Sequence, residues 1–454
     1  MAFGFQFSVG IVSGYALLLL TSPPLVYSLW GIRSYPPAFQ HLFPISVLSL
    51  VRCDFFNSRK TQFSQTNKQK HLDLPQTLLM QDLSDFLSPV IMYQLNDDQG
   101  YTDGQLAKHI AVYEDNIPDL EGIDIVIVGV TETRGNGLLE NSNDAADTIR
   151  KHLYQLHYWH TDVTIADIGN VKTGAEVKDS YAAIKTVLAE LLQQNKTVIL
   201  LGGSHDITLA QYNAYATLKQ SIEATCVDAM INLRGESPVR SENFLMEMLT
   251  AEPTLIKHYN HVAFQSYFVH PRMLETMDKL RFDCYRVGLV SDNIDEMEPV
   301  MRNTNLLSFD VSAIKYSDAP ANKYCPNGLT GIEACMLTRY AGMSNNLSSI
   351  GIYGYNPGDD LNELTAKQIS QMIWYFIDGK SRSKQEAAME DRNNFNEYHT
   401  AFAEVGTVFL QSKKTNRWWM QMPDTKFIAC SYNDYLKASN NEIPERWLRV
   451  QERS

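Results

Sequence analysis

Residues 123–130, IDIVIVGV, form a nearly unbroken apolar run rich in Ile and Val. A strand with one wet face alternates apolar and polar residues, so a run of this kind predicts a strand buried on both faces. The downstream chain continues that theme by alternation. Residues 144–156 predict an amphipathic helix, 163–168 a strand, 177–194 a long helix, and 197–201 (TVILL) a short strand that ends in Gly202-Gly203. Helix 207–218 and strand 224–228 follow, with later strands at 260–264, 285–287, 306–310 and 348–353. Helices are expected at 331–341 and 366–379. Strict alternation of strand and helix implies a parallel sheet covered on both faces by right-handed crossovers, an α/β fold of three layers. In such sheets ligands gather at the carboxyl ends of the strands.

Three of those ends carry groups able to hold a metal: Gly202-Gly203-Ser204-His205-Asp206, Asp228-Ala229-Met230-Ile231-Asn232 and Ser308-Phe309-Asp310-Val311-Ser312. An imidazole and carboxylates meeting at one sheet edge suit a hard or borderline divalent ion. Each piece alone has a plainer meaning. A His after Gly-Gly is a turn residue, and an Asp ending a strand caps the next helix. Their order along the chain is what points to chemistry.

In that order the motifs resemble those of the ureohydrolase superfamily, which comprises arginase, agmatinase and formimidoylglutamase. The family places Gly-Gly-x-His, Asp-Ala-His-x-Asp and Ser-x-Asp-x-Asp at successive strand ends. Asp147-Thr148-Ile149-Arg150, Asp167-Ile168-Gly169-Asn170, Gly328-Leu329-Thr330 with Glu333, and Asn356-Pro357 are similar to further family segments, so the resemblance runs from about 120 to 379. It implies a three-layer αβα arginase-like fold with a mostly parallel sheet. It also implies manganese as the cofactor, a small amidine or guanidine substrate, and a homo-oligomer. Its feel is closest to formimidoylglutamase-like members. By the same resemblance His205, Asp228 and Asp310 are expected metal ligands, with Asn232 able to lend an amide oxygen, and Glu333 is expected to face the substrate cation.

The departures fall on the metal shell. Met230 stands where the family has a histidine, and Asn232 and Ser312 where it has aspartates. Two divalent ions bring four positive charges, against which this chain offers two carboxylates, and a thioether is a poor ligand for manganese. At most one weakly held divalent ion is therefore expected. Two readings follow: a catalytically silent or altered family member, or a metal-dependent hydrolase of linear amidine or guanidine C–N bonds. The loop at 237–249 offers Asn243 and Phe244 where the family has a histidine. Tyr353 and Gly354 lie where it tends to carry an acid. Arg234 reads as a solvated or structural arginine, and the trio His152, His157 and His160 as a weak alternative metal cluster.

A net charge of -13 with no long basic run argues against nucleic acid. Six widely spaced cysteines (53, 226, 284, 325, 335 and 430) contain no CxxC and fit free thiols in a reducing, cytoplasmic setting. Residues 1–79 differ from the rest, with two acids against six bases and no charge before Arg33. They are expected to be a non-homologous extension preceding a start near Met80. An export signal or membrane anchor in the apolar stretch 9–30 is the alternative. Residues 80–380 then form the ureohydrolase-like domain. Residues 381–454 form a small aromatic-rich extension, with a solvated helix or linker at 381–394 and strands at 402–411 and 417–422.

Overall fold

The computed structural model describes residues 83–96, 100–137, 144–324 and 326–453, so the expectations for 1–79 lie outside the described residues. Among the described residues, ten strands form the main sheet. In chain order they are β1 (Leu87–Ser88), β2 (Ile110–Val112), β3 (Ile125–Val130), β4 (Ile165–Val171), β5 (Thr197–Leu201), β6 (Ile222–Val227), β7 (Ile256–Phe264), β8 (Asp283–Arg286), β9 (Leu306–Asp310) and β10 (Ser349–Tyr353). Their spatial order is β1-β4-β3-β5-β10-β9-β6-β7-β8, with β2 also on β4, and every pairing except β1 with β4 is parallel.

Alternation along each strand builds the layers. Ile125, Ile127, Ile199, Leu201, Leu307, Phe309, Ile350 and Ile352 face one core, together with the helices Ala145–Leu153, Gly331–Gly342 and Leu364–Lys384. Their neighbours Val126, Val128, Val198, Leu200 and Cys226 face the other, against the helices Val177–Gln193, Ile207–Thr217 and Phe244–Thr250. Both faces are dry, which is why these strands read as continuous apolar runs. Burying each such side chain stabilises the fold by about 1.5–3 kcal/mol, set against the entropy of ordering it. Among the described residues no helix is long and apolar enough to cross a membrane.

The expected elements shift only at their ends, two of them notably. The strand expected at 285–287 is β8, at 283–286, and Val287 starts a helix. The helix expected to stop at 379 runs to Lys384, so the first residues of 381–394, expected as a solvated helix or linker, continue that helix.

The extension holds an antiparallel meander of β11 (Phe395–Phe402), β12 (Val405–Ser412), β13 (Trp418–Gln421) and β14 (Phe427–Cys430), then the helices Tyr432–Ser439 and Glu445–Arg453. It has four strands rather than the two expected: those two correspond to β12 and β13, while β11, joined to β12 by a tight turn at Ala403-Glu404, and β14 were not expected. Trp418, Tyr435, Phe402, Phe409 and Trp447 form its own apolar centre. Arg302 and Arg417, both buried, tie it to the main domain. Arg302 donates to the Trp418 carbonyl at 2.6 Å and lies over the Trp419 ring, while Arg417 donates to the Met343 carbonyl at 2.9 Å and pairs with Glu386 at 2.9 Å.

Candidate metal centre

β5, β6 and β9 end side by side around β10, and their last residues meet. After β5 the chain turns through Gly202 and Gly203, with φ of 85° and 83°. A Cβ at Gly202 would lie 2.8 Å from the Val130 carbonyl oxygen, so only glycine serves there. The turn delivers His205 beneath the edge. Its Nδ1 is 2.9 Å from Asp228 Oδ2, which follows β6, and 3.5 Å from Asp310 Oδ2, the end of β9. All three residues are buried.

The neighbours of these groups decide what the cluster can hold. Asn232 donates from Nδ2 to Asp228 Oδ2 at 2.6 Å, and the same nitrogen lies 3.2 Å from His205 Nδ1. Ser312 donates from Oγ to Asp228 Oδ1 at 2.6 Å and from its backbone N–H to Asp310 Oδ1 at 2.8 Å. The Met230 N–H also donates to Asp228 Oδ1, at 3.0 Å. Gly354 leaves room for Asp310: its φ is 78°, and a Cβ there would sit 2.5 Å from Asp310 Oδ2.

The other ring nitrogen of His205 shares a hydrogen bond with Ser308 Oγ at 2.9 Å and lies 3.5 Å from Cys226 Sγ. His205, Cys226 and Asp228 are the one group among the described residues whose ligand atoms cluster closely enough for an ion. Phe244 packs on the His205 ring, with centroids 4.8 Å apart.

Electrostatically the two carboxylates beside Nδ1 favour the charged form of the imidazole. Burial opposes protonation of His205, but Cys226, Asp310 and Asp228 outweigh it and hold its pKa well above the usual value. Burial would raise Asp228, yet the charge and hydrogen bond of His205 bring it below the ordinary carboxylate range. For Asp310 burial wins, with help from Asp228, and its pKa rises to about 6. The cavity over these groups is about 50 Å³, lined by Met230, Asn232, Tyr324 and Glu242 among others. That volume holds a few waters or an ion, well short of a usual small-molecule site.

The structure thus brings together His205, Asp228, Asn232, Asp310 and Ser312, with Met230 at the rim. Glu333, expected from the resemblance to face a substrate cation, has a local partner here. Its Oε2 accepts from the Thr330 N–H at 2.6 Å and the Thr330 hydroxyl at 2.8 Å, so it closes the capping box of its helix, and it does not line this cavity. The histidine trio separates: His152 contacts Glu363 at 2.7 Å, His160 lies 3.4 Å from Asp378, and His157 touches the Gly104 carbonyl. Arg234 forms an exposed pair with Glu242. Sequence reasoning gave no role to Cys226 and quoted Ser308 only as part of its motif. Each stands two residues before a strand-end aspartate, so the strand period already put them on that aspartate's face. It also missed Asp206, fully buried with both carboxylate oxygens unpartnered and its pKa raised to about 7 by burial.

A three-layer α/β fold with an imidazole–carboxylate cluster at three neighbouring strand ends defines the ureohydrolase class. Its family model, Arginase family, matches residues 123–378, and the chain belongs to that family. A formimidoylglutamase of Staphylococcus haemolyticus is 23% identical over 282 residues, covering 58% of this chain and 88% of the relative. Among solved structures, the formimidoylglutamase of Bacillus subtilis aligns with a TM-score of 0.55 at 17% identity, covering 64% of this chain and 97% of its own. A Trypanosoma cruzi formiminoglutamase solved with Mn2+ aligns with a TM-score of 0.54 at 17% identity, covering 62% and 99%.

Proposed function

We propose that this chain is a formimidoylglutamase-like member of the arginase family whose dinuclear manganese chemistry is lost or altered, and which holds at most one divalent ion. The observation that carries the reading is the pair of protein donors on Asp228: Asn232 and Ser312 give hydrogens to its two oxygens, the lone pairs that two bridged ions would need. An amide and a hydroxyl bring no negative charge, and burying two dications against two carboxylates is expensive. The Met230 sulfur favours soft ions over manganese. These groups do not suit a manganese pair. His205, Asp228 and Asp310, with the Asn232 amide turned to offer its oxygen, are the residues that would hold a single ion. The narrow cavity supports the same reading, since a substrate with a carbon chain needs more room than about 50 Å³.

The test is metal stoichiometry with turnover. After equilibration with excess Mn2+ and gel filtration, no more than one ion per chain is expected, with no urea or formamide release from arginine, agmatine or formimidoylglutamate. Two bound ions with turnover would establish the alternative, an active hydrolase of linear amidines, and end this proposal. The triple substitution Met230→His, Asn232→Asp and Ser312→Asp is expected to raise the stoichiometry to two.

A further inference from the structure

Far from the metal edge, a cavity of about 870 Å³ lies where the main sheet meets the C-terminal extension. Its size is that of a small-molecule site. Its floor is the opposite end of the sheet: Glu223 is the second residue of β6, His258 the third of β7 and Asp283 the first of β8. Asp228, directly beyond the end of β6, lies five positions after Glu223, roughly 16 Å at the rise of an extended strand. The final helix closes the other side with Arg446, Arg449 and Arg453, whose spacing keeps them near one face.

Most charges here are already matched. Arg446 pairs with Glu296 at 3.2 Å and Asp434 at 3.0 Å. Arg449 and Arg453 share Asp283, which His258 also contacts at 3.1 Å. These pairs fix the walls, so a ligand meets a preformed surface. Glu223 is the exception. Its carboxylate has no ion-pair or hydrogen-bond partner among the described residues, and burial raises its pKa although His258, Arg453 and Lys257 face it. Lys257, also on the lining, has no ion pair among the described residues, and His258 Nδ1 is buried without a partner. A poorly solvated, unpaired carboxylate favours a cationic donor. Lys257, exposed and without an ion pair among the described residues, favours an anion, and Leu289, Val300 and Ile428 add an apolar wall to the lining.

We infer that this junction is a second ligand site, independent of the metal edge, which takes a small zwitterion: an ammonium or amidinium head on Glu223, a carbon chain on the apolar wall and a carboxylate on Lys257.

Calorimetry on the full chain with 6-aminohexanoate, hexylamine and hexanoate separates the requirements, because the three share one chain length. Saturable binding is expected for 6-aminohexanoate in the range of about 1 mM or tighter. Hexylamine and hexanoate should each bind about tenfold more weakly. Glu223→Gln should weaken 6-aminohexanoate at least about tenfold without changing the melting temperature, and Lys257→Met should weaken it while leaving hexylamine unchanged. The inference is overturned by absence of saturable binding to the folded protein, by equal binding of all three probes, or by binding that survives Glu223→Gln. Binding abolished only by Asp228→Asn would place it at the metal edge and overturn it equally.

Discussion

Arg150 has no exposed surface, yet its guanidinium makes five hydrogen bonds. Two go to the Asp167 carboxylate at 2.8 Å each, and the others reach Asp147, Asn170 and the Gly169 carbonyl. Tyr154 also donates to Asp167, at 3.0 Å. Arg150→Met would leave Asp167 buried without its cation, so a loss of about 3–5 kcal/mol in urea unfolding is expected. Adding Asp167→Leu should recover part of it, since the two residues are coupled. Both appear in the sequence as family-like words, Asp147 to Arg150 and Asp167 to Asn170, but their pairing was not legible there. Seventeen residues separate them, and only the packing of a helix on β4 joins them. The candidate metal edge was more legible: motif order located His205, Asp228 and Asp310, and chemistry flagged Asn232 and Ser312 as departures. What remained hidden was that these two departures turn their donors onto one carboxylate. Glu333 shows the converse, because a glutamate three residues after Thr330 has a local use that needs no substrate.

At the scale of elements, periodicity served where strands were buried on both faces and failed in the extension. β11 and β12 are joined by Ala403 and Glu404, both with positive φ of 47° and 64°. Positive φ at both central residues is the type I′ geometry that Asn-Gly normally marks, and Ala-Glu gives no such sign, so the strand expected at 402–411 runs through the turn into β12, and β11 before it is not expected. The turn is held in place by the pairing of Phe402 with Val405 and by the apolar centre beneath it. Replacing Ala403-Glu404 by Asn-Gly should therefore stabilise the hairpin by about 1–2 kcal/mol, read as a higher urea midpoint for the extension. An unchanged or lower midpoint would show that the turn carries no strain. Glu386 likewise defeated composition: it lies in a charged stretch that reads as solvated, yet its side chain is buried against Arg417, which in turn donates to the Met343 carbonyl of the main domain.

Across the whole molecule the sheet has two chemically distinct ends. One gathers the His205 cluster; the other is sealed by the final helix, whose Arg449 and Arg453 converge on Asp283 at the start of β8. Burial works against ionised Asp283, but the hydrogen bond from His258 and the charge of Arg453 hold its pKa below the ordinary carboxylate value. A depressed folded-state pKa stabilises the protein above the unfolded value, about 3.9, and that contribution is lost as pH falls through the lower folded value. The final helix should thus stay docked from neutrality down to about pH 4 and loosen below it. Asp283→Asn removes the acceptor charge at every pH, so at neutral pH it should already cost about 1.5–3 kcal/mol of local protection. Hydrogen exchange at 445–453, corrected for intrinsic rates, measures both. Faster exchange in Asp283→Asn at pH 7, confined to that helix and its neighbours, is the expected result. Unchanged exchange would mean that Trp447, packed on Phe402 with centroids 5.4 Å apart, holds the helix by apolar contact alone.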